Sequence, residues 1–195
     1  MFEIYIVKTS AEINENTFNW LLSYIQPEKK EWILRQRVRQ NAYNMLIGEL
    51  TAKIGIKNAF GIPIAGQKFV PGRYGKPYLL DNRNIHFNIS HSSEYVACAV
   101  SNKPVGIDIQ RIEQYNPSVA EKVCNAQELL QISDSGNKSA EFIKLWTQKE
   151  AVLKMHGVGI ANADIKNCLK NANTQSKMIE DYWLSVCCGS IPNIV

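Results

Sequence analysis

Apolar residues recur along this chain with two spacings, and the switches between them mark out its elements. Phe2 to Val7 alternates apolar and polar positions, the period-two signature of a strand. From Glu12 to Ile25 the spacing lengthens, so that Phe18, Leu21, Leu22 and Ile25 fall on one helical face. Pro27 suits the first turn of a second helix, where a missing N–H costs nothing. A longer helix is predicted over Asn41–Ile54, burying Ala42, Met45, Leu46, Leu50 and Ile54 and ending at Gly55. Residues 58–84 hold four glycines and three prolines and read as a loop with one short strand near Phe69. Period two returns in Ile85–Ser90 and Tyr95–Val100, separated by a Ser-His-Ser turn, and Ser101-Asn102-Lys103-Pro104 turns the chain into Val105–Ile112. Helical spacing resumes at 117–131 and Ala140–Met155. The remainder from 160 is polar until a last strand at Tyr182–Cys188.

Helices together with consecutive, short-connected strands imply an α+β fold with antiparallel sheet. The turn at 101–104 divides the chain into halves of similar length, 1–102 and 103–195. The composition, 45% hydrophobic and 21% charged, is that of a chain with a packed core and excludes a disordered protein. No stretch approaches the roughly 18 apolar residues of a membrane span. The first residues lack the basic segment and apolar run of a secretory leader. Five cysteines without a CxxC pair or zinc-ligand spacing are expected as free thiols of a reducing compartment, which points to the cytoplasm. Cys187 and Cys188 would face opposite sides of their strand.

The net charge of +4 is uneven. Residues 1–102 carry 12 Lys/Arg against 8 Asp/Glu, whereas 103–195 carry 10 of each. The excess comes from Lys29, Lys30, Arg35, Arg37 and Arg39, opposed there only by Glu31. Such a patch suits nucleic acid, an acidic protein, the phosphates of a cofactor, or plain water. No nucleic-acid-binding motif or aromatic platform accompanies it, which argues against the first.

Four segments carry residues with chemistry. In Val105-Gly106-Ile107-Asp108-Ile109-Gln110 the apolar residues share one strand face, leaving Asp108 and Gln110 together on the other as oxygen ligands suited to Mg2+. In the 145–154 helix Trp146, Glu150 and Lys154 follow at i, i+4 and i+8, so a carboxylate and an ammonium project along one side. The carboxylate can bind metal or act as a base, and the lysine can neutralise a leaving phosphate. Ser90 and His91, in Phe87-Asn88-Ile89-Ser90-His91-Ser92, can donate to phosphate oxygens, and Lys76 in Tyr74-Gly75-Lys76-Pro77 can reach one. Each has an ordinary structural alternative: a one-sided strand, a surface Glu–Lys pair, an inert turn histidine, a plain turn.

In this order and spacing, Gly75-Lys76-Pro77, Phe87–Ser92, Val105–Ile109 and Trp146–Lys154 resemble the Sfp-type 4'-phosphopantetheinyl transferases. Pro27-Glu28-Lys29 and Leu46-Ile47-Gly48-Glu49 are similar to that family's amino-terminal half, so the resemblance runs over about residues 1–160. It implies a pseudo-dimer of two similar subdomains, each an antiparallel sheet packed with helices, with the active site between them and a monomer able to complete it. It implies transfer of the 4'-phosphopantetheine arm of coenzyme A to a serine of an apo acyl or peptidyl carrier protein, releasing 3',5'-ADP, without nucleic acid or membrane. Asp108 and Glu150 would bind Mg2+, or Mn2+ in its place, with Gln110 as a third ligand. Glu150 would take the serine proton and Lys154 would stabilise the leaving phosphate. Ser90 and His91 would hold CoA phosphates, Lys29 the 3'-phosphate, and Tyr74, Gly75, Lys76 and Pro77 would line the adenine site.

Three departures from the family pattern stand out. Gln110 occupies a position that is often acidic, Asn44 one that is often basic, and the tail after Gly159 is short. They motivate an alternative, a CoA- or carrier-binding module with impaired catalysis.

Overall fold

In the computed structural model, which describes residues 1–9 and 13–189, strand β5 (Tyr95–Ser101) is buried along its whole length and organises the molecule. Tyr95, Ala97 and Ala99 point to one side. There they meet Val105, Ile107 and Ile109 of β6 (Val105–Arg111) and alternate residues of β8 (Tyr182–Cys188), namely Tyr182, Leu184, Val186 and Cys188. Cys98 and Val100 point the other way, onto Ala52, Ile56 and Ala59 of the long helix α3 (Arg39–Phe60). A strand apolar on both faces has no polar side to show water, so it lies between two layers.

Two antiparallel sheets follow. The first has the order β1-β5-β4, where β1 is Phe2–Lys8 and β4 is His86–Ser92. The second has the order β6-β8-β7, where β7 is Thr174–Ile179. Helix α3 covers the first sheet, and α6 (Lys138–His156) covers the second through Ala151 and Val152 on Cys187 and through a 2.7 Å hydrogen bond between Thr147 and Ser185 hydroxyls. The layers are therefore helix, sheet, sheet, helix, the α+β architecture of paired sheet-and-helix halves that the sequence implies. Cys187 and Cys188 do face opposite layers. The shorter helices α1 (Glu15–Leu22) and α2 (Pro27–Leu34) pack Phe18, Leu22 and Ile33 against Ala42, Leu46 and Leu50 of α3. Pro27 opens α2. Among the described residues no helix is long and apolar enough to cross a membrane.

Several elements differ from the sequence expectation, each for a local reason. The start expected at Glu12 lies outside the described residues; α1 is capped by Asn14, whose side chain accepts from the Thr17 N–H at 2.8 Å. Helix α3 does not end at Gly55. An added Cβ there would lie 2.8 Å from the Tyr5 ring and 2.9 Å from Val100, so the glycine lets the helix press onto the sheet, and α3 continues to a left-handed cap at Gly61. Ile54, expected in the core, is exposed. The loop 58–84 holds the last turn of α3 and a ribbon of β2 (Phe69–Pro71) paired with β3 (Pro77–Leu79), one strand more than expected. Ser-His-Ser is not a turn: His91 and Ser92 end β4, and the chain reverses at Ser93, with φ of 47°, and Glu94. The helical stretch 117–131 breaks into α4 (Pro117–Val123) and α5 (Ala126–Asp134), because Asn125 and Glu128 form a capping box that starts a new helix. Strand β7, an edge strand of polar sequence, gave no period-two signal.

Candidate active site

Strand β6 and helix α6 cross with almost no space between them. A Cβ on Gly106 would lie 1.9 Å from the Ala151 carbonyl oxygen and 2.3 Å from the Met155 nitrogen, so only a glycine permits this approach. Two residues further on, Asp108 faces α6 and is 5% exposed. Its Oδ1 accepts from the Lys154 ammonium at 2.6 Å and from the Ser90 hydroxyl at 2.7 Å. Lys154 also donates to the Ser90 oxygen at 3.0 Å. The 1–102 and 103–195 stretches thus both contribute to one cluster.

Ser90 belongs to a seam. Along β4, alternate side chains reach the outer backbone of β6: Asn88 Oδ1 accepts from the Ile107 N–H at 2.8 Å, Ser90 Oγ from Ile109 at 3.3 Å, and Ser92 Oγ from Arg111 at 3.1 Å. Side chains thereby satisfy an edge that a neighbouring strand would otherwise pair. The Ser90 hydroxyl gives its one proton to Asp108 and accepts twice, which fills its capacity. Ser90→Ala would leave the Ile109 N–H buried and unpaired and Asp108 short of a donor. We expect a loss of about 1–3 kcal/mol in denaturant-unfolding stability; an unchanged midpoint would show that the hydroxyl does not hold the seam.

Glu150, one turn before Lys154, is half-buried. Burial raises its pKa and the Asp108 charge adds to that, while Lys154 opposes. Gln110 lies half-buried on the strand beyond Asp108. Among the described residues no group of three His, Cys, Asp or Glu is placed to hold a metal. Asp108 and Gln110 share one face of β6, and Glu150 lies close enough to Asp108 for the two charges to interact.

Two lysines, Lys154 and Lys29, act on the outer side of this centre. His91 sits at the surface end of β4. Although solvent reaches the ring, its surroundings strip away enough water to lower its pKa, and Lys154 and Lys29 push the same way. Lys29 on α2 thus lies in the same field, as does Glu49 of α3, a buried carboxyl with a pKa raised by desolvation, whose Oε1 has no hydrogen-bond partner among the described residues. Asn44 is 1% exposed and makes three hydrogen bonds: its oxygen accepts from Thr9 at 2.7 Å and Gln40 at 2.9 Å, and its amide donates to the Ser93 carbonyl at 2.7 Å. Where the family pattern often has a basic side chain, this chain has a structural tie between α3 and the β4–β5 turn.

A recess of about 550 Å³ opens beside the end of α6, lined by Arg73, Tyr74, Lys76, Arg83, His86 and His156 among others. Tyr74, Lys76 and Pro77 form its lip, and Gly75 (φ of 87°), which does not line it, supplies the turn between them. The Lys76 ammonium is turned inward, away from the role of free phosphate donor, onto the Val105 and Met155 carbonyls. A second recess of about 520 Å³, between α5, α6 and the 166–170 segment, is lined by none of the expected site residues.

Sequence reasoning missed the Gly106 contact, the seam role of Asn88 and Ser92, and the ion pair of Lys149 with Glu128 at 2.8 Å, both buried. That pair, with Lys149 also donating to the Ile165 carbonyl at 2.9 Å, anchors the rear of α6. The recurrence of Asn88, Ser90 and Ser92 at every second position was the available signal for the seam.

Comparison with known proteins bears on residues 12–187. A family model described as the 4'-phosphopantetheinyl transferase superfamily matches residues 104–187, and one described as 4'-phosphopantetheinyl transferase, N-terminal, matches residues 12–103. The 4'-phosphopantetheinyl transferase gsp of Aneurinibacillus migulanus is 38% identical over 162 residues, covering 82% of this chain and 68% of that one. The 4'-phosphopantetheinyl transferase Sfp of Bacillus subtilis (strain 168) is 29% identical over 161 residues, covering 82% and 72%. The L-aminoadipate-semialdehyde dehydrogenase-phosphopantetheinyl transferase of Saccharomyces cerevisiae is 27% identical over 180 residues, covering 83% and 64%. With both halves matched and the crossing of β6 and α6 carrying the Asp108, Glu150 and Lys154 cluster, the chain belongs to the 4'-phosphopantetheinyl transferase superfamily.

Proposed function

We propose that this chain transfers the 4'-phosphopantetheine arm of coenzyme A to a serine of an apo acyl or peptidyl carrier protein and releases 3',5'-ADP. The observation that carries the reading is the convergence of Asp108, Glu150 and Lys154 where β6 crosses α6, with Ser90 reaching in from β4. The relatives' names supply the reaction class.

Each residue takes a part that its surroundings suit. Asp108 and Glu150 would hold Mg2+, with Gln110 as a third oxygen; the ion, when bound, neutralises the diphosphate of CoA. Glu150, directly or through a water, takes the proton from the carrier serine. The serine oxygen forms a bond to the phosphopantetheine phosphorus as the bond from that phosphorus to the bridging oxygen of ADP breaks. Lys154, which balances Asp108 in the resting chain, neutralises the departing phosphate. Lys29 and His91 meet CoA phosphates from the surface side, and the Tyr74–Pro77 lip with its recess takes the nucleoside end. We read Ser90 as acting on phosphates only through Asp108 and Lys154. The enzyme is read as a cytoplasmic monomer, a reading supported by five free cysteines and by a cluster that one chain assembles alone.

The test is direct. Purified protein with CoA, Mg2+ and an apo carrier should yield a carrier heavier by one phosphopantetheine arm. Calorimetric CoA binding without any mass change, across fatty-acid, polyketide and nonribosomal-peptide carriers, would instead favour the binding module.

A further inference from the structure

Lys76 belongs to the first half of the chain, yet among the described residues its ammonium bonds to the second. It leaves a tight turn in which the Gly72 N–H donates to the Lys76 carbonyl at 2.9 Å and Gly75 N–H to the Gly72 carbonyl at 3.0 Å. From there Nζ donates to the carbonyl of Val105, the first residue of β6, at 2.8 Å, and to that of Met155, in the last turn of α6, at 3.0 Å. The stem lies over Gly157, the cap of α6: a Cβ there would be 3.5 Å from Lys76 Cδ. Three segments distant in sequence therefore meet on one side chain.

The two acceptors are telling. Helix α6 leaves its last carbonyls without intrahelical partners, and a cation is favoured at that negative end. Met155 directly follows Lys154, and Val105 lies three residues before Asp108, so Lys76 bonds to both elements that carry the site. Gly106, beside Val105, is where those elements touch. We propose that Lys76 is a positioning residue of the transfer reaction: it clamps the end of α6 to the start of β6 and to the 72–77 turn, and so keeps Asp108 and Lys154 in register. This rests on the function proposed above. Burial lowers the Lys76 pKa to about 8, so this position strips water from an amine whose stem and head are both spent inside the protein. An exposed phosphate-binding lysine would not suffer that loss. Even the neutral amine keeps two N–H donors for the two carbonyls.

Two measurements on Lys76→Met separate positioning from direct contact with CoA. In the unliganded protein, hydrogen exchange of the 155–158 and 105–107 amides should accelerate about tenfold, the equivalent of one lost hydrogen bond. In carrier modification, kcat should fall about 10- to 100-fold with the KM for CoA changed less than about threefold, because misplacement acts on the transition state. A raised KM for CoA with unchanged kcat and unchanged exchange would overturn the proposal and make Lys76 a CoA ligand. If Lys76→Met fails to fold, Lys76→Arg, which still donates two N–H groups from a different geometry, is read by the same split: lower kcat sustains positioning, higher KM alone refutes it. Exchange is measured without CoA or carrier, so faster exchange in a protein whose wild type transfers nothing would sink the proposed function and leave the clamp standing.

Discussion

Glu150→Gln is expected to lower carrier modification by roughly 10³-fold or more while leaving the protein folded. The substitution keeps the shape of the side chain and, on the proposed mechanism, removes two things at once: a proton acceptor, commonly worth 10²- to 10⁴-fold, and one of two negative oxygen donors for a divalent ion. No protein hydrogen bond of Glu150 supports the fold among those described, and neutralising its half-buried charge removes a desolvation cost and the repulsion of Asp108 while giving up the attraction of Lys154. Thermal unfolding should be unchanged or slightly improved. Mass-detected single-turnover assays, run with Mg2+ well above saturation, are the measurement. A variant retaining a tenth of the wild-type rate would remove Glu150 from both roles.

The second large effect is structural. Gly106→Ala forces a methyl group to within 1.9 Å of the Ala151 oxygen and 2.3 Å of the Met155 nitrogen, both backbone atoms of α6. No side-chain rotation relieves the overlap, so β6 and α6 must part by more than an ångström. We expect a stability loss of about 3 kcal/mol, at the upper end for an added methylene-sized group. A rate loss of about 10²-fold should follow, because the Asp108–Lys154 contact lies across the same crossing. Gly136→Ala is the control: nothing stands within 4 Å of its added Cβ, and a surface change of that kind stays within about 0.5 kcal/mol. Equal midpoints for the two variants in denaturant titration would mean that the crossing is looser than it looks.

Much of this molecule was legible one element at a time. Period two placed Val105, Ile107 and Ile109 on one side and Asp108 on the other, and β6 is laid down that way. Tyr182–Cys188 was legible because alternate residues enter the central core. What escaped depends on partners that no local pattern names. Gly55 reads as a helix end to a rule that weighs propensity, but Tyr5 and Val100, about fifty residues away on either side, require a glycine inside the helix. Lys76 reads as a free turn lysine because its acceptors are main-chain carbonyls, which leave no trace in side-chain spacing. The same holds for Lys149 and Glu128, 21 residues apart and in different helices. In the site, the residue types were readable from four short segments; their juxtaposition was not, because two sheets must first stack to bring β4 to β6.

The pairing of β1 with β5 also sets a schedule for synthesis. Phe2 lies opposite Ser101 and Lys8 opposite Tyr95, so β1 finds its partner only after about a hundred further residues have been added. At typical elongation rates of 5–20 residues per second, that wait lasts about 5–20 s. Throughout it Phe2, Ile4 and Ile6 travel on a nascent chain whose intended neighbour does not yet exist. The central strand is thus the last part of its sheet to be made, and a pause in translation before codon 95 would prolong the interval in which chaperones are needed most.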